Sequence, residues 1–490
     1  MQIAVMKTTL PISLPAVLLA SLLAIQPCST IAASPSPSEL LEKGIYTEET
    51  KGDIDAAIVI YQQLITDAKN AQSLGAQAQF RLAQCYLKKN RAADATAAFE
   101  KLIHDFPNEK ELIAKARAHL PSAIVLNAIP WVDGERLQLN LKLAGGLDIG
   151  TTEYYADLAE KDGQKIWRVG ARSFAMVSSF SVVEADAGTF YPVRSRWKHP
   201  MLGDVSATYQ PGAVELRRAG TGAPTSVKLD EAVFDNEETM DVMRRLPLKI
   251  GYKTTVPVFS SLGSTAPIPL ELEVTGEEEV EAPAGKFPCF KVKLNIGQTF
   301  WISTDAHRYL VKFEAGGAVA RLASIVQRKP GEPIAFRDDD LGVSFTAPPN
   351  WVIYRPKNRV ETKNQVIMMI DPEADSGVAQ LTLTPLESLS KEARESSRAW
   401  AENDFRDSVS KRLKDAKIRP ESWKVRDVSS RPSASYIADF TENGKPWVVF
   451  ALHALGPQTA ESFELTCPPE KLDPLLTAFE TIIASCSISK

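Results

Sequence analysis

The spacing of apolar residues changes once, and abruptly, along this chain: up to Leu120 they recur with a helical period, and from Leu137 they alternate with polar residues. One element cannot satisfy both periods, so the chain must contain a helical part and a β-rich part. The stretch from Pro121 to Pro130 separates them. A length of 490 residues agrees with several cores, being about three times that of a typical domain. The expected architecture is therefore multidomain: α-helical hairpins over 34–120, an antiparallel β barrel, half-barrel or sandwich over 128–328, and an α+β domain over 334–490.

What precedes the helices is an address. Leu10 to Ile25 is apolar but broken by Pro11 and Pro15, follows Lys7, and leads to Ala32 and Ala33. That pattern predicts a signal peptide over 1–33, export to the periplasm or the exterior, and no membrane span in the mature chain. Gln26 and Pro27 stand where a lipid-attachment signal at Cys28 needs small residues, which favours ordinary cleavage. Export permits disulfides. Yet Cys85, Cys289, Cys467 and Cys486 show no framework spacing, and buried free thiols are expected.

Composition narrows the function classes. A net charge of -5 gives no electrostatic case for nucleic acid. Five histidines and five cysteines, all scattered, predict neither a metal site nor a cofactor. In the β-rich part Asp186, His199, Asp204 and His307 are the polar candidates, with Ser195 and Ser303 as conceivable nucleophiles. No serine sits in a Gly-x-Ser-x-Gly elbow, so no catalytic residue is assigned and a binding role is favoured over a hydrolase. Glu277 to Glu279 reads as a solvated hairpin end, and Asp338 to Asp340 and Asp371 to Asp375 as solvated loop acids without calcium-loop spacing.

Leu82, Ala83, Tyr86, Ala95, Phe99 and Pro107, with Asn90 at the inter-helix turn, resemble the tetratricopeptide repeat. An earlier copy has Gly52-Asp53 at its turn, then Ala57 and Tyr61, but departs from the pattern at Gly44, Ile45 and Glu48. The resemblance implies a groove that binds a protein or peptide, faced by Gln77, Arg81, Gln84 and Lys88. The same four residues also fit a merely solvated helix face.

Strand alternation at Leu137 to Leu143, Leu270 to Val274 and Phe290 to Ile296, with one helix near Asp235 to Leu246, marks the middle part. Its segments Thr189 to Ser195, Arg245 to Leu248, Ala282 to Phe287 and Trp301 to Ser303 resemble an uncharacterised family of exported bacterial β-rich domains. A fold-level analogy to lipid-carrier half-barrels implies a possible apolar ligand. Beyond the linker Arg328 to Pro333, a Phe345-Pro348-Trp351 corner precedes strands, a long helix over about Ser390 to Leu413, three strands with an Asn443-Gly444 hairpin turn, a last strand and a closing helix. This order resembles the PsbP-like domains, which implies an accessory rather than a catalytic role.

Overall fold

The computed structural model describes residues 35–489 except 68–70, 90, 120–123, 162, 176, 200, 202, 211, 230–231, 357–363 and 374–376. The expected signal peptide over 1–33, Cys28, Asn90 and Asp375 lie outside the described residues. The chain divides into two compact units, Met1–Ser122 and Ala123–Lys490.

The first unit is helical: α1 (Pro37–Ile45), α2 (Ile54–Asp67), α3 (Gln72–Lys88), α4 (Ala92–Asp105) and α5 (Lys110–His119). Ser36 and Glu39 cap α1 reciprocally, and Pro37 occupies the first turn, where its missing N–H costs nothing. Ala57, Ala83 and Ala95 are buried and small enough for the helices to approach closely, while Tyr61, Phe99 and Leu102 fill the space between them. The two main departures from the repeat pattern explain one another. Gly44 faces the Tyr61 ring so closely that a Cβ would fall on it. Glu48, in the π turn Tyr46–Thr50 that extends α1, accepts the Tyr61 hydroxyl at 2.7 Å.

The second unit opens on one long sheet. Its strands are β1 (Glu135–Leu143), β2 (Asp148–Lys161), β3 (Gln164–Ala175), β4 (Val177–Asp186), β5 (Pro192–His199), β6 (Gly203–Gln210), β7 (Ala213–Arg218) and β8 (Thr225–Lys228). Then follow β9 (Phe234–Asp235), β10 (Lys253–Phe259), β11 (Ile268–Ala282), β12 (Gly285–Leu294), β13 (Thr299–Ser303), β14 (Leu310–Ala315) and β15 (Ala318–Gln327). The order runs from β8 back to β1, across to β15, and back to β9. Every pair is antiparallel except β9 with β10. Among the described residues no pairing joins β8 to β9, so the sheet is not closed, which corrects the barrel option. The physical reason is that β1 and β15 pair in the middle of the order and leave the other two ends free.

One helix, α6 (Thr239–Arg245), is introduced by the turn Asn236–Glu238 and packs its Val242, Met243 and Leu246 side into the core formed by Leu137, Trp167, Val256 and Leu272. The Glu277 to Glu279 run is not a hairpin end: it lies within β11, and Glu278 accepts the Trp301 indole N–H. All three acids are exposed, as expected of a solvated run, while Val274 and Val280 are buried.

Beyond residue 334 the same unit holds a three-stranded and an eight-stranded sheet. Val448, Phe450 and Leu452 join the core with Leu475 and Phe479 of the closing helix Leu472–Ser485. Val449 and Ala451 face the opposite way, against Ala401. Asn443 and Gly444 both take positive φ, as a tight hairpin turn requires. The expected long helix is broken, because Ser396 is extended and caps a new helix, Ser397–Asp404, by accepting Ala399 N–H. Of the loop acids Asp338 to Asp340, the last two are exposed as expected, but Asp338 is held at 2.7 Å by Arg355. Phe174 of β3 packs with Val352, Tyr354 and Ile370, which joins this part to the long sheet.

Candidate functional site

The repeat face is built on α3, where Gln77, Arg81, Gln84 and Lys88 recur at intervals that keep them on one side. Two of the four have an internal task. Arg81 Nη1 donates to Glu48 at 3.1 Å and to Glu49 at 2.8 Å, and Lys88 Nζ donates to Glu48 at 2.7 Å. Glu48 is buried, and burial alone would raise its pKa. The hydrogen bonds from Lys88, Tyr61 and Arg81 outweigh burial and hold the carboxyl below its ordinary value. Gln77 is exposed and Gln84 half-buried. Gln79, on the inner side of α3, donates to the Ala98 carbonyl at 2.9 Å and ties α3 to α4.

In the second unit the long sheet and α6 line a partly open cavity of about 320 Å³. Its two sides differ. Met240 and Met243 of α6 with Leu270, Leu294 and Phe300 of β11 to β13 form an apolar wall. Ser173, Ser179 and Ser181 of β3 and β4 form a hydroxyl wall, and Glu237 joins from the turn before α6. Burial, then the neighbouring Asp235, raise the Glu237 pKa. Asp235 lies behind it, fully buried, accepting the Tyr209 hydroxyl at 2.6 Å. Burial also lifts Asp235 and Glu238, the latter far above the ordinary carboxyl range.

A buried ion network positions α6 over this cavity. Arg244 donates to Glu135 at 2.7 Å and to the carbonyls of Arg308 at 2.8 Å and His307 at 3.0 Å. It also pairs with Asp241 at 3.6 Å and lies over the Trp131 ring. Burial pushes Asp241 up to about 7, with Arg244 opposing and Glu135 adding to the rise. Sequence inspection raised a cavity only as the condition for a carrier, and it missed this network, because Arg244 meets Glu135 and His307 across 109 and 63 positions of the chain.

The polar candidates are not assembled into a catalytic set. His199 stacks on Trp197 and accepts Met201 N–H at 3.2 Å. His307 stacks on Tyr309, and the neighbouring Asp305 is occupied by the Ser303 hydroxyl and by two backbone N–H groups of its own turn. Asp186 folds its turn, accepting from Gly188 and Thr189, and Asp204 pairs with Arg196 at 2.7 Å. A further grouping, not anticipated from the sequence, places buried His453 with Asp404 at 3.0 Å and Ser462 at 3.4 Å. Both approach the same nitrogen, Nε2, so the ring cannot take a proton from one while being held by the other. Among the described residues no group of three or more His, Cys, Asp or Glu could hold a metal ion. Cys85, Cys289, Cys467 and Cys486 are buried and unpaired, each thiol pushed up to about 12 chiefly by burial.

Comparison with known proteins agrees with two of these regions. The tetratricopeptide repeat family matches residues 50–120, that is α2 to α5. The family described as "Protein of unknown function (DUF3108)" matches residues 139–321, within the long sheet. No curated protein matches the chain. Among solved structures, the cyanobacterial PsbP of Synechocystis sp. PCC 6803 is similar at 12% identity over 32% of this chain and 94% of that one, with a TM-score of 0.27. LpqN, involved in cell envelope biogenesis of Mycobacterium tuberculosis, gives 10% identity over 32% and 91%, at 0.21. The immunity protein TplEi of Pseudomonas aeruginosa gives 11% over 49% and 96%, also at 0.21. None of these scores is high enough to assign a shared fold. No helix among the described residues is long and apolar enough to cross a membrane.

Proposed function

We propose that this chain is a non-enzymatic, exported envelope protein whose repeat module binds a protein or peptide partner. On this reading 1–33 is the signal peptide, 34–120 the repeat domain, 128–328 the β-rich domain and 334–490 a PsbP-like accessory domain. The observation that carries it is the repeat match over 50–120, in a helical unit that leaves one polar side of α3 partly open to solvent. Gln77, Arg81, Gln84 and Lys88 are the proposed contact line. Arg81 and Lys88 serve both the fold and the surface, whereas Gln77 and Gln84 have no bond to Glu48 and can be changed without touching that network.

The test is affinity capture with the full chain from an extract of its own cells. The double variant Gln77→Ala/Gln84→Ala is expected to lose its main partner by about tenfold, which corresponds to about 1.4 kcal/mol. Undiminished capture by the variant would remove the contact line.

A second reading has its own observation. The cavity beneath α6, with one apolar wall, supports a carrier of a small apolar ligand in the β-rich domain. At about 320 Å³ it lies near the lower end of ligand-pocket volumes, about 300–1,000 Å³. A hydrolase is supported by no grouping described above.

A further inference from the structure

We infer that the cavity beneath α6 takes an uncharged amphiphile, a short apolar chain carrying a hydroxyl head, and rejects anionic ones such as fatty acids. The inference rests on the carrier reading and specifies its ligand. The wall of Met240, Met243, Leu270, Leu294 and Phe300 offers an apolar chain dispersion contact and shelter from water. Across from it Ser173 shares a hydrogen bond with Thr152 and Ser181 accepts the Ala171 N–H, while the Ser179 hydroxyl has no partner among the described residues and can both donate and accept, which suits an alcohol or a glycerol head.

Charge decides between heads. No lysine, arginine or histidine lines the cavity among the described residues, and Glu237 does. Behind Glu237 stand the buried acids Asp235 and Glu238. A carboxylate or phosphate brought here would lose its water, find no cation and face like charge or its proton-bearing equivalent. A neutral head loses little water and regains its hydrogen bonds from the serines. The cavity also sets a length. At about 30 Å³ per water-sized group it holds roughly ten such groups.

The experiment is calorimetric titration of the full chain at neutral pH with decanol, 1,2-decanediol, decanoate and decylamine. Decanol and 1,2-decanediol are expected to bind, with decanoate at least about tenfold weaker. Along an alcohol series, affinity should rise about fourfold for each added methylene and then level off as the cavity fills. Glu237→Gln, which replaces the carboxylate with an uncharged group of the same shape, should narrow the gap between decanoate and decanol by at least about threefold. Decanoate or decylamine binding as tightly as decanol would overturn the head-group inference while leaving the carrier reading standing. Binding of none of the four would overturn both. A variant that fills the cavity, Ser179→Phe, should abolish decanol binding while far-UV circular dichroism stays unchanged. If folded Ser179→Phe bound decanol like the parent chain, the site would lie elsewhere and the inference would fall.

Discussion

Replacing Arg244 with alanine is expected to destabilise the second unit by about 3–5 kcal/mol, the largest effect of any single substitution considered. The guanidinium is 1% exposed and its carboxylate partner Glu135 5%, so its loss strands a buried charge and frees two carbonyls, those of His307 and Arg308. The loss depends on pH in a defined direction. Asp241 titrates near 7, raised mainly by burial and opposed by Arg244. A carboxyl whose pKa rises on folding stabilises the fold fully below its unfolded value, near 3.8 here, and that contribution is lost as pH rises through the folded value. Without Arg244 the folded pKa climbs further. The deficit of the variant should therefore be larger at about pH 8 than at about pH 5, growing as pH passes the parent's folded value near 7. Urea unfolding followed by tryptophan fluorescence measures it, since Trp131 lies against Arg244. A deficit below about 1 kcal/mol at both pH values would show that α6 does not depend on this anchor.

The second large effect is in the repeat unit. Arg81→Ala/Lys88→Ala leaves Glu48 buried without a cation, and is expected to cost about 2–3 kcal/mol, less than a fully buried pair because Arg81 and Lys88 are themselves partly exposed. Adding Glu48→Gln should restore most of the loss, because an amide can stay buried beside Tyr61 without a counter-ion. In the parent chain Glu48 has a lowered pKa, so its contribution is present above its ordinary value of 4.5 and is lost as pH falls through the folded value. Acid unfolding of the helices, followed by far-UV circular dichroism, should thus lose one acid-sensitive step in Glu48→Gln. An unchanged acid profile would mean that Glu48 is not charged in the folded unit.

How much of this was legible depends on distance along the chain. The break near Pro121 to Pro130, the helical hairpins and the Asn443-Gly444 turn are local, and each emerged from spacing and turn chemistry. The open sheet was not legible, because it hangs on the pairing of β1 with β15, nearly two hundred residues apart. Ser396 looked like one more helical residue, yet its side chain caps the next helix and splits the expected long one. Glu48 could be seen only as a misfit to the repeat. Its meaning lies in Tyr61, Arg81 and Lys88, which reach it from two other helices. The cavity was foreseen only as a question, since Ser173, Met243 and Phe300 meet through the curvature of a sheet whose closure the sequence left open.

The most direct measurement is site-specific photo-crosslinking on the repeat face in living cells. A crosslinker at position 77 or 84 is expected to trap one and the same partner, and one at exposed Val59 on α2 to trap none. Identical products from all three positions, or none from 77 and 84, would contradict the claim that this chain works by binding a partner along α3.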